Sequence, residues 1–120
     1  MTQQRLSLGQ WGEELAVRYL KRRLYRIVET NFRTPVGEVD IIARRGGILA
    51  FVEVKTRSGT VCGQGIEAVT PRKQRQIIRT AQWYLAKHGD SKLQPRFDVI
   101  AIQADATSHD IEHIIDAFTL

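Results

Sequence analysis

Apolar residues recur along this chain with two different periods, and the switches between them mark out its elements. From about Leu8 to Leu24 the spacing is helical, with Trp11, Leu15, Ala16, Tyr19, Leu20 and Leu24 on one broad face. Residues 25–32 read as a strand centred on Ile27 and Val28, and Asn31 to Pro35 as the turn after it. From Gly37 to Arg57 the apolar period is two, interrupted at Gly46-Gly47, a dipeptide suited to a tight hairpin because such turns need positive φ. Thr70-Pro71 opens a second helix, Thr as N-cap and Pro in the first position, which runs to about His88 and stops at Gly89. Its apolar face is Ile77, Ile78, Ala81, Tyr84 and Leu85. Residues 96–103 and 109–116 alternate again, joined by a turn over Asp105 to Ser108. The order helix, strand, hairpin, helix, strand, strand predicts an α/β protein with a central mixed β-sheet flanked by α-helices. No linker or repeat interrupts it, so residues 1–120 are expected to form one domain, with residues 1–6 a polar arm.

The hairpin holds the unusual chemistry. Centring its turn on Gly46-Gly47 places Asp40 opposite Glu53 and Glu38 opposite Lys55, all on one face. The other face reads Val39, Ile41 and Ala43 against Val54, Val52 and Ala50, which is core. Like charges directly opposed on a sheet are destabilising. Two carboxylates among Val and Ile need a compensating cation. Lys55 is one candidate, and a divalent metal on Asp40 and Glu53 is another, since Mg²⁺ takes one or two carboxylates and keeps several waters. A plainer reading is an exposed hairpin end with a Glu38–Lys55 salt bridge and one tolerated acid pair.

The helices send further polar groups inward. Glu13 falls inside the apolar arc of the first helix, whereas Glu14 stacks outside it on Arg18 at the spacing of an exposed ion pair. A helix-start acid favoured by the dipole is the competing account of Glu13. In the second helix Gln74 projects into the apolar arc and Lys73 lies at its edge. Arg72, Lys73, Arg75 and Arg79 crowd its early turns, where basic charge opposes the dipole and suggests a polyanion nearby. Trp83 lies off the apolar face and is expected to pack. The glycine-rich stretch after Arg57, SGTVCGQG, reads as a mobile loop beside the charged end of the hairpin, either a plain connection or, slightly favoured, a lid or substrate-gripping loop. His109 and His113 would match a zinc pair on a helix, but they fall on an alternating strand with no third ligand.

Composition narrows the class of partner. Lys and Arg number 18 against 13 Asp and Glu, a formal charge of +5, which favours nucleic acid ahead of an anionic membrane. Cys62 is the one cysteine, so no intrachain disulfide can form, and with no signal-peptide pattern at the N-terminus a cytoplasmic setting is expected. No apolar run approaches the length of a membrane span.

Taken in order, Gly12-Glu13, Gly37-Glu38-Val39-Asp40, Phe51-Val52-Glu53-Val54-Lys55-Thr56-Arg57, Lys73-Gln74, Arg96-Phe97-Asp98-Val99 and Ala117-Phe118 resemble the YraN family of the PD-(D/E)xK nuclease superfamily. The resemblance covers nearly the whole chain, although Val39 stands where the motif has proline. It implies a restriction-endonuclease-like fold, similar to archaeal-type Holliday junction resolvases, and a metal-dependent endonuclease acting on DNA, ahead of RNA, with branched DNA the natural substrate. By that resemblance Asp40, Glu53 and the Val54 carbonyl ligate Mg²⁺ or Mn²⁺. Lys55 orients or deprotonates the attacking water, Glu13 completes the acidic set, and Gln74 or Lys73 fixes the site or contacts phosphate. Arg57, Arg72, Lys73, Arg75 and Arg79 are the expected nucleic-acid contacts. Symmetric cutting of a junction would need a two-fold homodimer. Two alternatives compete: a nucleic-acid-binding protein of the same fold without hydrolysis, and an interaction domain whose acids are simply paired to Lys55.

Overall fold

The structure, a computed structural model, describes residues 7–59, 69–89, 92–105 and 107–119. Helix α1 (Leu8–Arg22) is followed by strand β1 (Arg26–Thr34), the hairpin β2 (Gly37–Arg45) and β3 (Ile48–Ser58), helix α2 (Pro71–His88), and strands β4 (Gln94–Ala104) and β5 (His109–Phe118). The strands form one sheet in the order β1-β2-β3-β4-β5. Neighbours are antiparallel except β3 and β4, which run parallel. A short turn cannot join a parallel pair, and α2 lies in the crossover between them. The result is an α/β fold, a five-stranded mixed sheet flanked by two helices, compatible with the restriction-endonuclease-like arrangement. No helix among the described residues is long and apolar enough to cross a membrane.

Caps set the helix starts. The Ser7 hydroxyl accepts the Gln10 N–H while the Gln10 side chain accepts the Ser7 N–H, both at 3.2 Å, a reciprocal capping box. Thr70 caps α2 by accepting the Lys73 N–H, with Pro71 in the first turn and Gly89 at the C-cap, as expected. The end of α1 differs from expectation. The helix stops at Arg22, and Leu24, placed by its periodicity on the apolar face, takes a φ of 69° and is 83% exposed. A left-handed residue turns the chain out of the helix, usually at glycine, and carries its side chain off the helical face. Strand β1 also runs further than expected, through Thr34, so the turn before β2 begins at Pro35. Val28, expected at its centre, falls in a register shift between Ile27 and Glu29 and is partly exposed.

The sheet separates two apolar layers. Beneath α2 lie Ile42, Leu49, Phe51, Phe97 and Val99 with Ile77, Ala81 and Tyr84 from the helix. Beneath α1 lie Ile41, Ala43, Ala50, Val52, Ile100 and Ile102 with Ala16 and Leu20. Val39, expected beside Ile41, packs instead with the α2 layer. The alternation of β2 therefore lapses at Asp40, opposite the part of β1 where Asn31 has a φ of 51°. Both helices approach the sheet closely near this point. A Cβ on Gly12 of α1 would lie 1.8 Å from Thr56 Oγ1 on β3, and one on Gly37 of β2 would lie 2.8 Å from Thr80 Oγ1 on α2. The polar arm, the expected lid from Thr60 onward and Cys62 lie outside the described residues.

Candidate active site

The hairpin pairs in the expected register from Arg45–Ile48 to Ile41–Val52. One step further on, where Asp40 and Glu53 would face each other, that ladder ends. The Val54 N–H donates to Asp40 Oδ2 at 2.8 Å, so the carboxylate takes a bond that a partner carbonyl would otherwise accept. Glu53 lies on the α2 side of β3, 3% exposed, with its carboxyl within hydrogen-bonding reach of that of Asp40. Its Oε2 is 3.6 Å from Lys73 Nζ and 3.9 Å from Lys55 Nζ. Its Oε1 is buried with no hydrogen-bond partner. Burial, then the hydrogen bond and charge of Asp40, push the Glu53 carboxyl up to about 8 against the pull of the two lysines. Burial and the neighbouring carboxyl thus favour its protonated form.

Glu13 adds a third acid from the second turn of α1. It is half-buried, and burial followed by the charge of Asp40 raises its carboxyl above the ordinary range, while a hydrogen bond with Asn31 works the other way. Gly12 allows this placement, because only a residue without a side chain lets the helix sit on Thr56.

Asp40, Glu53, Lys55 and Lys73 are thus brought together from two strands and a helix, with Glu13 beside them. Glu38 is not among them. In the β1–β2 register it faces Arg33, and it pairs with that residue at 3.2 Å on the surface. The cross-strand Glu38–Lys55 pair of the plainer reading does not form, because Lys55 sits beside Glu53. Gln74 donates to the Val69 carbonyl at 2.9 Å, so Lys73 is the neighbour that reaches Glu53. Arg72, Arg75 and Arg79 are exposed on α2. Arg57 borders a small groove of about 160 Å³ with Lys55. Two larger grooves reach the cluster, one of about 440 Å³ through Glu13 and one of about 400 Å³ through Lys73. Trp83 lies under the Lys87 ammonium, 4.7 Å from its ring centre.

Among the described residues no three His, Cys, Asp or Glu side chains converge as a metal-holding group. The donors on offer are two carboxylates, with the Val54 main chain between Glu53 and Lys55. Such a set suits a hard ion that keeps most of its waters, as Mg²⁺ does, and does not suit zinc, which takes four protein ligands at structural sites and three plus a water at catalytic ones. The unpartnered Glu53 Oε1 is the observation on which that fit rests.

Two features had weak signals in the sequence. Asn31 lies where the expected strand and the expected turn overlap, and asparagine is among the few residues that tolerate the positive φ it adopts inside β1. Asp98 shares the α1 face of β4 with Ile100 and Ile102, where an acid needs partners. It has four hydrogen bonds, from Arg96 Nε and Nη2, from His113 Nε2 and from the Asp116 N–H. His113 of the considered zinc pair is engaged there, and the ring of His109 meets Trp11 edge-on at 5.6 Å.

The class defined by fold and site is a mixed-sheet α/β protein with a buried carboxylate–lysine cluster between its two helices. Residues 12–102 match the uncharacterised protein family UPF0102, and the chain belongs to that family. It is 55% identical over 118 residues to a UPF0102 protein of Syntrophotalea carbinolica, covering 98% of this chain and 96% of the relative. Similar relatives are the UPF0102 proteins of Geotalea uraniireducens, 56% identical over 95% of this chain and 91% of the relative, and of Chlorobium limicola, 48% identical over 93% and 92%.

Proposed function

We propose that this chain is a metal-dependent endonuclease of the PD-(D/E)xK type that hydrolyses phosphodiester bonds in DNA. The observation that carries the reading is the state of Glu53: buried, without a partner for Oε1, pressed against Asp40, and with two lysines that reach only its other oxygen. A merely structural carboxylate is normally fully bonded. Asp40 and Glu53 would hold Mg²⁺ or Mn²⁺, with the Val54 carbonyl as a further oxygen. When bound, such an ion supplies positive charge for a transferring phosphoryl group and a more acidic water. Lys55, partly exposed at the end of the cluster, orients the attacking water and offsets charge that develops on the phosphate oxygens. Lys73 holds the phosphate from the α2 side. Glu53 releases its proton when the site fills. Glu13 and Asn31 fix the outer edge of the cluster. Arg57, Arg72, Arg75 and Arg79 supply sequence-independent contacts to backbone phosphates.

A second reading, binding without hydrolysis, draws on Gln74, whose side-chain amide is committed to the Val69 carbonyl and not to the cluster. Two measurements separate them. Millimolar Mg²⁺ or Mn²⁺ raises the melting temperature of the wild type and not of Asp40→Asn if the cluster takes the ion. Cleavage of branched, nicked or linear DNA then requires the ion and disappears in Glu53→Ala and Lys55→Ala. Cutting that persists in both variants comes from a contaminant, and metal binding with no cutting of any DNA or RNA favours the second reading.

A further inference from the structure

The Asp98 assembly reaches the surface on the opposite flank of α1 from Glu13. Burial pushes the Asp98 carboxyl up, but the bonds from His113, Arg96 and the Asp116 N–H outweigh it and hold it below the ordinary carboxylate range. His113 Nε2 donates to Asp98 at 2.8 Å, so in the neutral ring Nδ1 accepts the Tyr19 hydroxyl at 3.2 Å. Tyr19 is thereby fixed from below. Its ring forms part of the wall of a groove of about 660 Å³ between the last turns of α1 and the start of β5. The Arg23 guanidinium lies over that ring, 4.8 Å from its centre. Arg18, Arg22 and His109 complete the polar lining, and none of the described lining residues is acidic. The three arginines form no ion pair with a carboxylate among the described residues, and the Glu14–Arg18 pair that their spacing suggested is not made.

A cation at the C-terminal end of a helix is favoured by the dipole, which accounts for Arg22 and for Arg23 at the C-cap. It does not account for Arg18 a turn earlier, for His109 contributed by another element, or for an aromatic platform anchored to a fully buried carboxylate. A guanidinium held on a fixed ring loses little freedom when it binds an anion. The apolar members of the groove, Leu15 and Ile111, are half-buried in its walls, unlike the projecting apolar face of a membrane-surface helix. We propose that this groove is a second phosphate site, which holds the backbone of a nucleic acid with Arg23 as the fixed contact and Arg18 and Arg22 beside it. It rests on nucleic acid being the ligand, as above, but not on hydrolysis. By helical geometry Arg22 lies roughly 14 Å along α1 from Glu13 and on the far side of the helix. The groove therefore grips flanking backbone and not the phosphate at the acid cluster.

The test is fluorescence anisotropy with labelled single-stranded and duplex oligonucleotides across a KCl series, without divalent ions. The triple variant Arg18→Gln/Arg22→Gln/Arg23→Gln is compared with wild type and with Arg72→Gln/Arg75→Gln/Arg79→Gln. The α1 triple variant is expected to weaken binding roughly tenfold or more, and to lower the slope of log affinity against log salt by about 2. Melting curves check that the fold is intact. Tyr19→Phe, which keeps the ring but loses its bond to His113, should bind a few-fold more weakly than wild type, and Tyr19→Ala more weakly still. Wild-type affinity and slope in the α1 triple variant would overturn the proposal. So would a wild-type protein that binds no oligonucleotide, whether or not it binds vesicles of anionic phospholipid. Failure of the acid cluster is read separately, from the metal-dependent melting shift.

Discussion

Asp98 and Glu53 occupy adjacent steps of the same parallel ladder, Asp98 beside Val52 and Glu53 beside Val99, on opposite faces of the sheet. Both are buried, at 0% and 3% exposure. Their surroundings differ in kind. Asp98 has a bidentate arginine, an imidazole and a main-chain N–H, and is held ionised. Glu53 faces another carboxyl, has ammonium groups no nearer than 3.6 Å, and leaves one oxygen bare. The first arrangement lowers the energy of the charged form and the second raises it. A buried acid whose bonds are complete serves the fold; one left incomplete is held ready for something that arrives from outside.

The largest effect expected from this contrast is at Asp98. Asp98→Asn leaves the Arg96 guanidinium largely buried without its counter-charge, and should cost about 3 to 5 kcal/mol in urea unfolding. A cost no greater than that of a surface substitution would erase the distinction between the two acids. Glu53→Gln should move the other way. The folded chain keeps the Glu53 proton up to about pH 8, while the unfolded chain releases it near the ordinary 4.5, so the folded state binds more protons in that window. Stability therefore falls as pH rises through it. Glu53→Gln should melt close to wild type at pH 5 and higher at pH 9, by on the order of 10 °C. A variant that melts lower at pH 9 would show that the ionised form is well satisfied after all.

Gly12→Ala tests how Glu13 is held. The added methyl meets Thr56 and should cost about 1 to 3 kcal/mol. Gly9→Ala, where nothing lies within 4 Å, should stabilise the same helix by about 0.5 to 1 kcal/mol. Equal effects at the two sites would mean that α1 does not press on β3. The effect expected of the ion itself is of similar small size, about 1 kcal/mol when Mg²⁺ or Mn²⁺ is present at several times its Kd. The shift should be larger at pH 8.5 than at pH 6.5, because the Glu53 proton must leave first. A shift independent of pH would separate ion binding from this carboxyl.

The parts legible in the sequence were those fixed by short-range rules. The Gly46-Gly47 turn and the period of two gave the hairpin register, and Thr70-Pro71 gave the start of α2. Where a local departure resets the geometry, periodicity fails. No glycine announces the end of α1, so Leu24 continued the apolar pattern on paper while the chain had already turned. Asp40 breaks the alternation of β2 by bonding across to β3, which moves Val39 to the other face. The acid cluster was visible because three of its members lie on one hairpin. The Asp98 assembly was not, since Tyr19, Arg96 and His113 come from different elements and meet only in three dimensions.

Leu24 offers a practical way to study the rest. Its backbone has a conformation that glycine adopts without strain, and its side chain touches little. Leu24→Gly should therefore yield a sturdier parent protein whose acidic and basic residues are undisturbed. In that background, crippling replacements at the cluster can remain folded, and a lost reaction can be told apart from a lost structure.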